Sequence, residues 1–253
     1  MPRFTDRTAL VTGAGSGIGR TVALALAAEG ARVVVADRRP EPLAQTVRLI
    51  EEQGGKALAV SADVSRAAGA DAVVRTAVEA FGALDVAVNN AGVFRGGQPL
   101  ADLPEEDWHT QLATNVTGVF LALQAQIRQM RTQPAGGAIV NVSSTFGLHT
   151  ASPGAAAYSA TKAAVTALSR GAALDHIRDG ARINVVSPGA TETPMSLRPG
   201  ETEADRAERA RAALPLGRIA TTEEVAAAVL YLASDDAACV VGTDLVVDSG
   251  GSL

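Results

Sequence analysis

Seven short apolar runs recur along the chain, separated by longer Ala-rich stretches of helical period, and that alternation is what most constrains the fold. The runs are Thr8–Thr12, Arg32–Ala36, Ala57–Val60, Val86–Val88, Ala138–Val142, Ile183–Ser187 and Leu245–Val247. A strand covered on both faces reads as a continuous apolar run, and parallel neighbours need a helical crossover between them. The pattern predicts an α/β fold: a doubly wound parallel sheet of about seven strands with six or so flanking helices. Asp102 or Pro104 opens a helix running toward Met130, and Thr222 with Glu223 and Glu224 opens another that runs through Ala233. No linker or charge block interrupts the 253 residues, and 47% of them are hydrophobic, so one domain over 1–253 with a large core is expected. The Arg- and Glu-rich stretch Leu197–Leu214, with Pro199 and Gly200, reads either as a mobile lid at about 194–216 or as a solvated surface helix.

Charge and composition exclude several classes. A net charge of −5 offers no basic stripe for nucleic acid or anionic lipid. The longest segment without a charged side chain, Thr132–Thr161, carries Pro134, Asn141 and Pro153 and does not read as a membrane span. Cys239 is the single cysteine, which fits a reducing compartment. The N-terminal residues lead straight into a strand pattern without a secretion signal, and a cytoplasmic location is expected. His109, His149 and His176 are scattered, with no metal-ligand spacing among them, so no metal site is expected.

Between the first strand and the first helix lies Thr12-Gly13-Ala14-Gly15-Ser16-Gly17-Ile18-Gly19. Glycines there permit positive φ and close approach of backbone to a pyrophosphate, while the helix N-terminus presents N–H donors and a positive dipole. The strand–turn–helix context points to a dinucleotide in a Rossmann fold, with Gly13, Ser16, Gly17, Ile18 and Gly19 around the phosphates. The second strand ends in Asp37, where a carboxylate accepts both hydroxyls of the adenosine ribose; this favours NAD over NADP. Arg38 and Arg39 follow at once and partly offset that preference.

Tyr158 precedes Lys162 by four positions at the start of a helix-periodic segment, which puts phenol and ammonium on one face. A nearby ammonium is expected to lower the phenol pKa and to fit it for acid–base work. Taken with the glycine turn, Asp63-Val64, Asn89-Asn90-Ala91-Gly92, Asn115, Ser143-Ser144, and Pro188-Gly189 with Thr191 and Thr193, these residues follow one another in the order of the short-chain dehydrogenase/reductase family, which the sequence resembles over nearly its whole length. Val246-Val247-Asp248-Ser249-Gly250-Gly251 is similar to the family's ending, although Ser249 departs from it.

The resemblance implies an oxidoreductase interconverting a secondary alcohol and a ketone by hydride transfer. Tyr158 is then the catalytic acid/base, Lys162 its partner and a donor to the nicotinamide ribose, Ser144 the group that polarises the substrate oxygen, with Ser143 as fallback, and Asn115 the end of a proton relay. Ser144 and Tyr158 stand fourteen residues apart where the family most often has thirteen, implying one extra residue within His149–Ala155. Asp63 and Val64 are assigned to adenine, Asn90, Ala91 and Gly92 to the adenosine side, and Pro188, Gly189, Thr191 and Thr193 to the nicotinamide half. Phe94, Phe146, His149 and Met195 are candidates for the substrate wall. The resemblance further implies a homo-tetramer. Two alternatives stay open: an NADPH-dependent 3-oxoacyl-thioester reductase, and a dinucleotide-sensing protein without turnover.

Overall fold

The computed structural model describes residues 2–198 and 200–253, so Pro199 of the expected lid lies outside the described residues. Seven strands form one parallel sheet: β1 (Thr8–Thr12), β2 (Arg32–Asp37), β3 (Lys56–Ser61), β4 (Val86–Asn89), β5 (Gly137–Val142), β6 (Ala181–Pro188) and β7 (Asp244–Val247). Their order, β3-β2-β1-β4-β5-β6-β7, reverses direction between β1 and β4, which opens a crevice at the C-terminal ends of those strands. Around the sheet lie α1 (Gly17–Ala28), α2 (Pro40–Glu52), α3 (Ala67–Phe81), α4 (Glu105–Gln111), α5 (Gly118–Met130), α6 (Thr145–Leu148), α7 (Ala156–His176), α8 (Glu203–Ala213) and α9 (Thr222–Ala233).

The continuous apolar runs are explained by two cores, one on each face. Val11, Val33, Val35, Val88 and Val140 pack against Leu26 of α1, Leu43 of α2 and Val229 of α9. The alternate residues Leu10, Val34, Ala87, Ile139 and Ile183 pack against Val73 of α3, Leu123 of α5 and Val165 of α7. The third strand departs from the expectation of two covered faces. β3 is the outer edge, and its Leu58 is 39% exposed.

The helix expected to run toward Met130 begins at Glu105 and carries a π turn, Leu112–Thr117, between α4 and α5. Such turns widen the helix by one residue and are frequent at functional sites; Asn115 sits in this one. The stretch around Leu197–Leu214 contains α8, closed at its start by a capping box between Thr202 and Asp205. Ser249 occupies φ +59°, a conformation that favours the glycine the resemblance leads one to expect there. Among the described residues, no helix is long and apolar enough to cross a membrane, and no group of three or more His, Cys, Asp or Glu side chains is gathered to hold a metal.

Candidate active site

The glycine turn is built by its neighbours. Gly13 and Gly17 have φ +64° and +52°, which glycine adopts without strain. A Cβ on Gly19 would stand 2.3 Å from the Gly13 carbonyl oxygen and 2.4 Å from Asn90 Nδ2, so only glycine fits. From the end of β4, Asn90 donates through Nδ2 to the Thr12 and Gly13 carbonyls (3.1 and 3.2 Å), and the Asn90 and Ala91 amides donate to Thr12 Oγ1 (3.1 Å each). Asn90 thus tethers the turn through its amide nitrogen. Two further tethers escape sequence reasoning. Thr46 of α2 donates to the Ala14 carbonyl (2.9 Å), and Arg20 donates to the Gly15 carbonyl and, at 3.1 Å, to Thr46 Oγ1. Only their placement after a recognised glycine turn would have flagged them.

This cradle fits a dinucleotide. Ser16 precedes α1 without capping it through its side chain, and no acidic residue occupies the first turn, so the helix N-terminus with Gly17, Ile18 and Gly19 is suited to an anion. Asp37 Oδ1 accepts from the Arg39 amide (3.1 Å), and Oδ2 leans over the turn, 3.0 Å from where a Cβ of Gly15 would be. The carboxylate is mostly shielded, with the Arg39 Nε 3.8 Å away. Asp63 accepts from the Ser65 hydroxyl (2.6 Å) and amide (3.0 Å), which hold its carboxyl below the usual carboxylate range, and the Arg38 charge acts in the same direction. Val64 beside it is buried. Across the crevice, Pro188 and Gly189 end β6, Thr191 bridges to Ala220, and the Thr193 methyl would meet a Cβ of Gly17 at 3.3 Å.

The chemistry lies at the C-terminal end of β5. Ser143 and Ser144 leave the strand in different directions. Ser143 is buried, donates to the Lys162 carbonyl (2.8 Å) and accepts from Thr166 Oγ1 (3.1 Å), so its hydroxyl is committed to α7. Ser144 starts α6, where its Oγ accepts from the Phe146 amide (3.3 Å), and its hydroxyl lies close enough to the Tyr158 phenol to act on that group's pKa, lowering it. Of the two serines, Ser144 is the one whose hydroxyl is not committed to α7.

Lys162 is 4% exposed; its Nζ donates to the Val142 carbonyl (2.8 Å) and stands 5.7 Å from the Tyr158 ring centre. Burial pushes its pKa down to about 8. Burial also pushes the Tyr158 phenol up to about 12, against the smaller lowering by Ser144. The spacing leads to the expectation that the ammonium lowers the phenol; burial sets the direction here, and the phenol is raised. Asn115 is fully buried, accepting from the Val93 amide (2.8 Å) and donating to the Val93 carbonyl (2.9 Å) and Thr161 Oγ1 (3.1 Å). It comes near Lys162 through Gly92, whose Cβ position lies 3.4 Å from both Asn115 Oδ1 and Lys162 Nζ.

The four substrate-wall candidates are not equivalent. Phe94 meets the Tyr158 ring edge to face at 5.3 Å and remains 36% exposed. Phe146 is half-buried beside Ser144, while Met195, 55% exposed, lies on the short turn Pro194–Ser196. His149 turns to Asp244, its Nε2 2.9 Å from Oδ2. The region beyond Thr193 is fastened by α8. Arg206 donates to the Thr193 carbonyl (3.4 Å) and Ser196 Oγ (3.1 Å), and Arg209 grips Glu201 at 2.7 and 2.9 Å.

Comparison with known proteins agrees with this geometry. The family model described as Enoyl-(Acyl carrier protein) reductase matches residues 13–252. A short chain dehydrogenase/reductase of Aspergillus oryzae is 40% identical over 98% of this chain and 95% of its own. The cis-4-hydroxycyclohexanecarboxylate dehydrogenase of Sinomonas cyclohexanicum is 40% identical over 98% of this chain and 97% of its own. Carveol dehydrogenase from Mycobacterium avium, solved in complex with NAD, superposes with a TM-score of 0.94 at 29% identity, covering 99% of each chain. The parallel sheet, the glycine turn and the Ser144, Tyr158 and Lys162 cluster thus have one common explanation: the chain belongs to the short-chain dehydrogenase/reductase family.

Proposed function

We propose that the protein is an NAD-dependent oxidoreductase that interconverts a secondary alcohol and a ketone, with Tyr158 as the acid/base. The observation that carries this reading is the convergence of Ser144, Tyr158 and Lys162 at the mouth of the crevice whose floor is the glycine turn. A nicotinamide dinucleotide supplies the hydride acceptor or donor. Gly13, Ser16, Gly17, Ile18 and Gly19 would hold its phosphates, Asp37 its adenosine ribose, Asp63 and Val64 its adenine, and Pro188, Gly189, Thr191 and Thr193 its other half, with Asn90, Ala91 and Gly92 closing the floor. In the oxidative direction the substrate hydroxyl gives its proton to Tyr158 in its phenolate form, which thereby becomes the phenol, while Ser144 orients the same oxygen. In the reductive direction the Tyr158 phenol, whose proton burial helps to retain, returns it.

The substrate side suits a neutral, largely apolar molecule, because Phe94 and Met195 present hydrocarbon to the opening. Relatives named for cis-4-hydroxycyclohexanecarboxylate and carveol favour cyclic secondary alcohols as the first class to try. Phe120 of α5 and Leu174 of α7 are 42% and 80% exposed, which supports assembly through these helices into a homo-tetramer. The acidic balance and the lone, unpaired Cys239 support a cytoplasmic enzyme.

The test is calorimetric binding of NAD+, NADH, NADP+ and NADPH, followed by a panel of cyclic and acyclic secondary alcohols and ketones. Tighter NAD(H) binding with turnover that Tyr158→Phe reduces about 10²- to 10⁴-fold, at unchanged cofactor affinity, supports the reading. Tighter NADP(H) binding would favour the 3-oxoacyl-thioester reductase, and full activity in Tyr158→Phe would overturn the mechanism.

A further inference from the structure

The geometry points to His149 as a positioning residue that, through the buried carboxylate of Asp244, holds Ser144 in register with Tyr158. This rests on the dehydrogenase reading above. The helix α6, with Ser144 at its start and His149 at its end, has four residues, too few to be stable alone. Its middle is pressed on α7: a Cβ on Gly147 would stand 3.1 Å from both the Lys162 carbonyl carbon and the Ala163 nitrogen. Its far end is bolted to the sheet, where His149 Nε2 donates to Asp244 Oδ2 (2.9 Å) and Ser187 Oγ donates to Asp244 Oδ1 (2.6 Å). The Asp244 side chain is 2% exposed and Ser187 is fully buried.

Asp244 is the unusual member. It opens the otherwise apolar strand Asp244-Leu245-Val246-Val247, where a leucine or valine would pack without the cost of burying a charge. Its two oxygens are used by one residue of β6 and one residue at the end of α6, separated by 57 and 95 positions from Asp244. The carboxylate therefore joins the catalytic loop to the sheet at its outer edge.

A double-mutant cycle tests this, combining His149→Ala with Asp244→Leu. His149→Ala should lower kcat tenfold or more, with cofactor affinity unchanged. The double variant should be no worse than the single one, since either change removes the same link. His149→Gln, whose amide nitrogen can donate to Asp244, should recover most of the loss. Should Asp244→Leu fail to fold, Ser187→Ala takes its place in the cycle. Additive effects, wild-type kcat in His149→Ala, or no recovery with Gln would overturn the inference. If the wild-type protein turns over none of the alcohols or ketones, the dehydrogenase reading fails by itself. The anchor is then judged by hydrogen exchange: faster exchange of the 145–150 amides in His149→Ala supports it, and unchanged exchange overturns it.

Discussion

The two sides of the crevice are built on different principles. The cofactor side is made of backbone: the glycine turn, its contacts below 3 Å if a Cβ is added, and tethers from Thr12, Thr46 and Asn90 that end on main-chain carbonyls or amides. The substrate side is made of side chains on short turns, α6 and Pro194–Ser196, joined to distant elements by ion pairs and single hydrogen bonds such as His149–Asp244, Arg206–Thr193 and Arg209–Glu201. A backbone cradle tolerates almost no variation, whereas side-chain fasteners can be exchanged one at a time. The difference explains how one scaffold keeps a cofactor and changes its substrate.

The contrast breaks most directly at Gly19. Gly19→Ala places a Cβ 2.3 Å from the Gly13 carbonyl oxygen and 2.4 Å from the tethered Asn90 side-chain nitrogen, and neither can yield cheaply. Loss of about 3 kcal/mol of stability and of calorimetrically detectable cofactor binding is expected. A folded variant with wild-type affinity would show that the cradle is as adaptable as the opposite wall.

Lys162 comes next, because the site maintains it against its own solvation. With the folded pKa lowered to about 8 from 10.5, the protonated form is disfavoured by folding, and the unfolded chain binds more protons between those values. Stability contributed by this group therefore rises as pH increases from about 8 to 10.5. The phenol acts oppositely above pH 10: its folded pKa near 12 adds stability that is lost as pH rises from 10 to 12. Lys162→Met should raise stability at pH 7 by about 1 to 2 kcal/mol, after the lost bond to Val142 is counted, while removing most turnover. Urea titrations at pH 7 and 9.5 check this; the gain should shrink at the higher pH, and equal gains would mean that the lysine is not desolvated.

Asp37 probes a place where the cradle would meet the dinucleotide through a side chain rather than through backbone. Asp37→Ala removes the acceptor beside the turn and the negative charge that opposes a 2′-phosphate, with Arg38 and Arg39 left in place. The NADP/NAD affinity ratio should rise about tenfold, or about 1.4 kcal/mol, without change in the substrate KM. An unmoved ratio would place the adenosine ribose elsewhere.

How much was legible follows the same division. Strand runs, the glycine turn and the Tyr158–Lys162 spacing could be read because each obeys a local rule of period, backbone freedom or helix face. The choice between Ser143 and Ser144 could not, since it depends on Thr166 and the Lys162 carbonyl, reached only after the chain returns through α7. The π turn at Asn115 left no mark in the apolar period, because Leu112–Thr117 continues the helix on either side. The direction of the Tyr158 shift was missed for a related reason: spacing reports proximity, and burial, which raises the phenol, is a property of the whole fold.

The smallest effect is expected at α8, where it is also most informative. Glu201 is held by Arg209 and by the Arg198 amide, which bring its pKa down to about 2. Any stability it contributes is present above pH 4.5 and lost as pH falls toward 2, so at neutral pH the pair is intact. Glu201→Gln keeps the size of the side chain and removes the charge-assisted part of the grip, while Arg206 still ties α8 to the Thr193 carbonyl. The segment before α8 should loosen at one of its two fasteners, raising the substrate KM two- to fivefold with cofactor affinity and melting temperature nearly unchanged. An equal loss of cofactor affinity would mean that α8 also braces Thr193 against the glycine turn, and the two sides of the crevice would then be mechanically one.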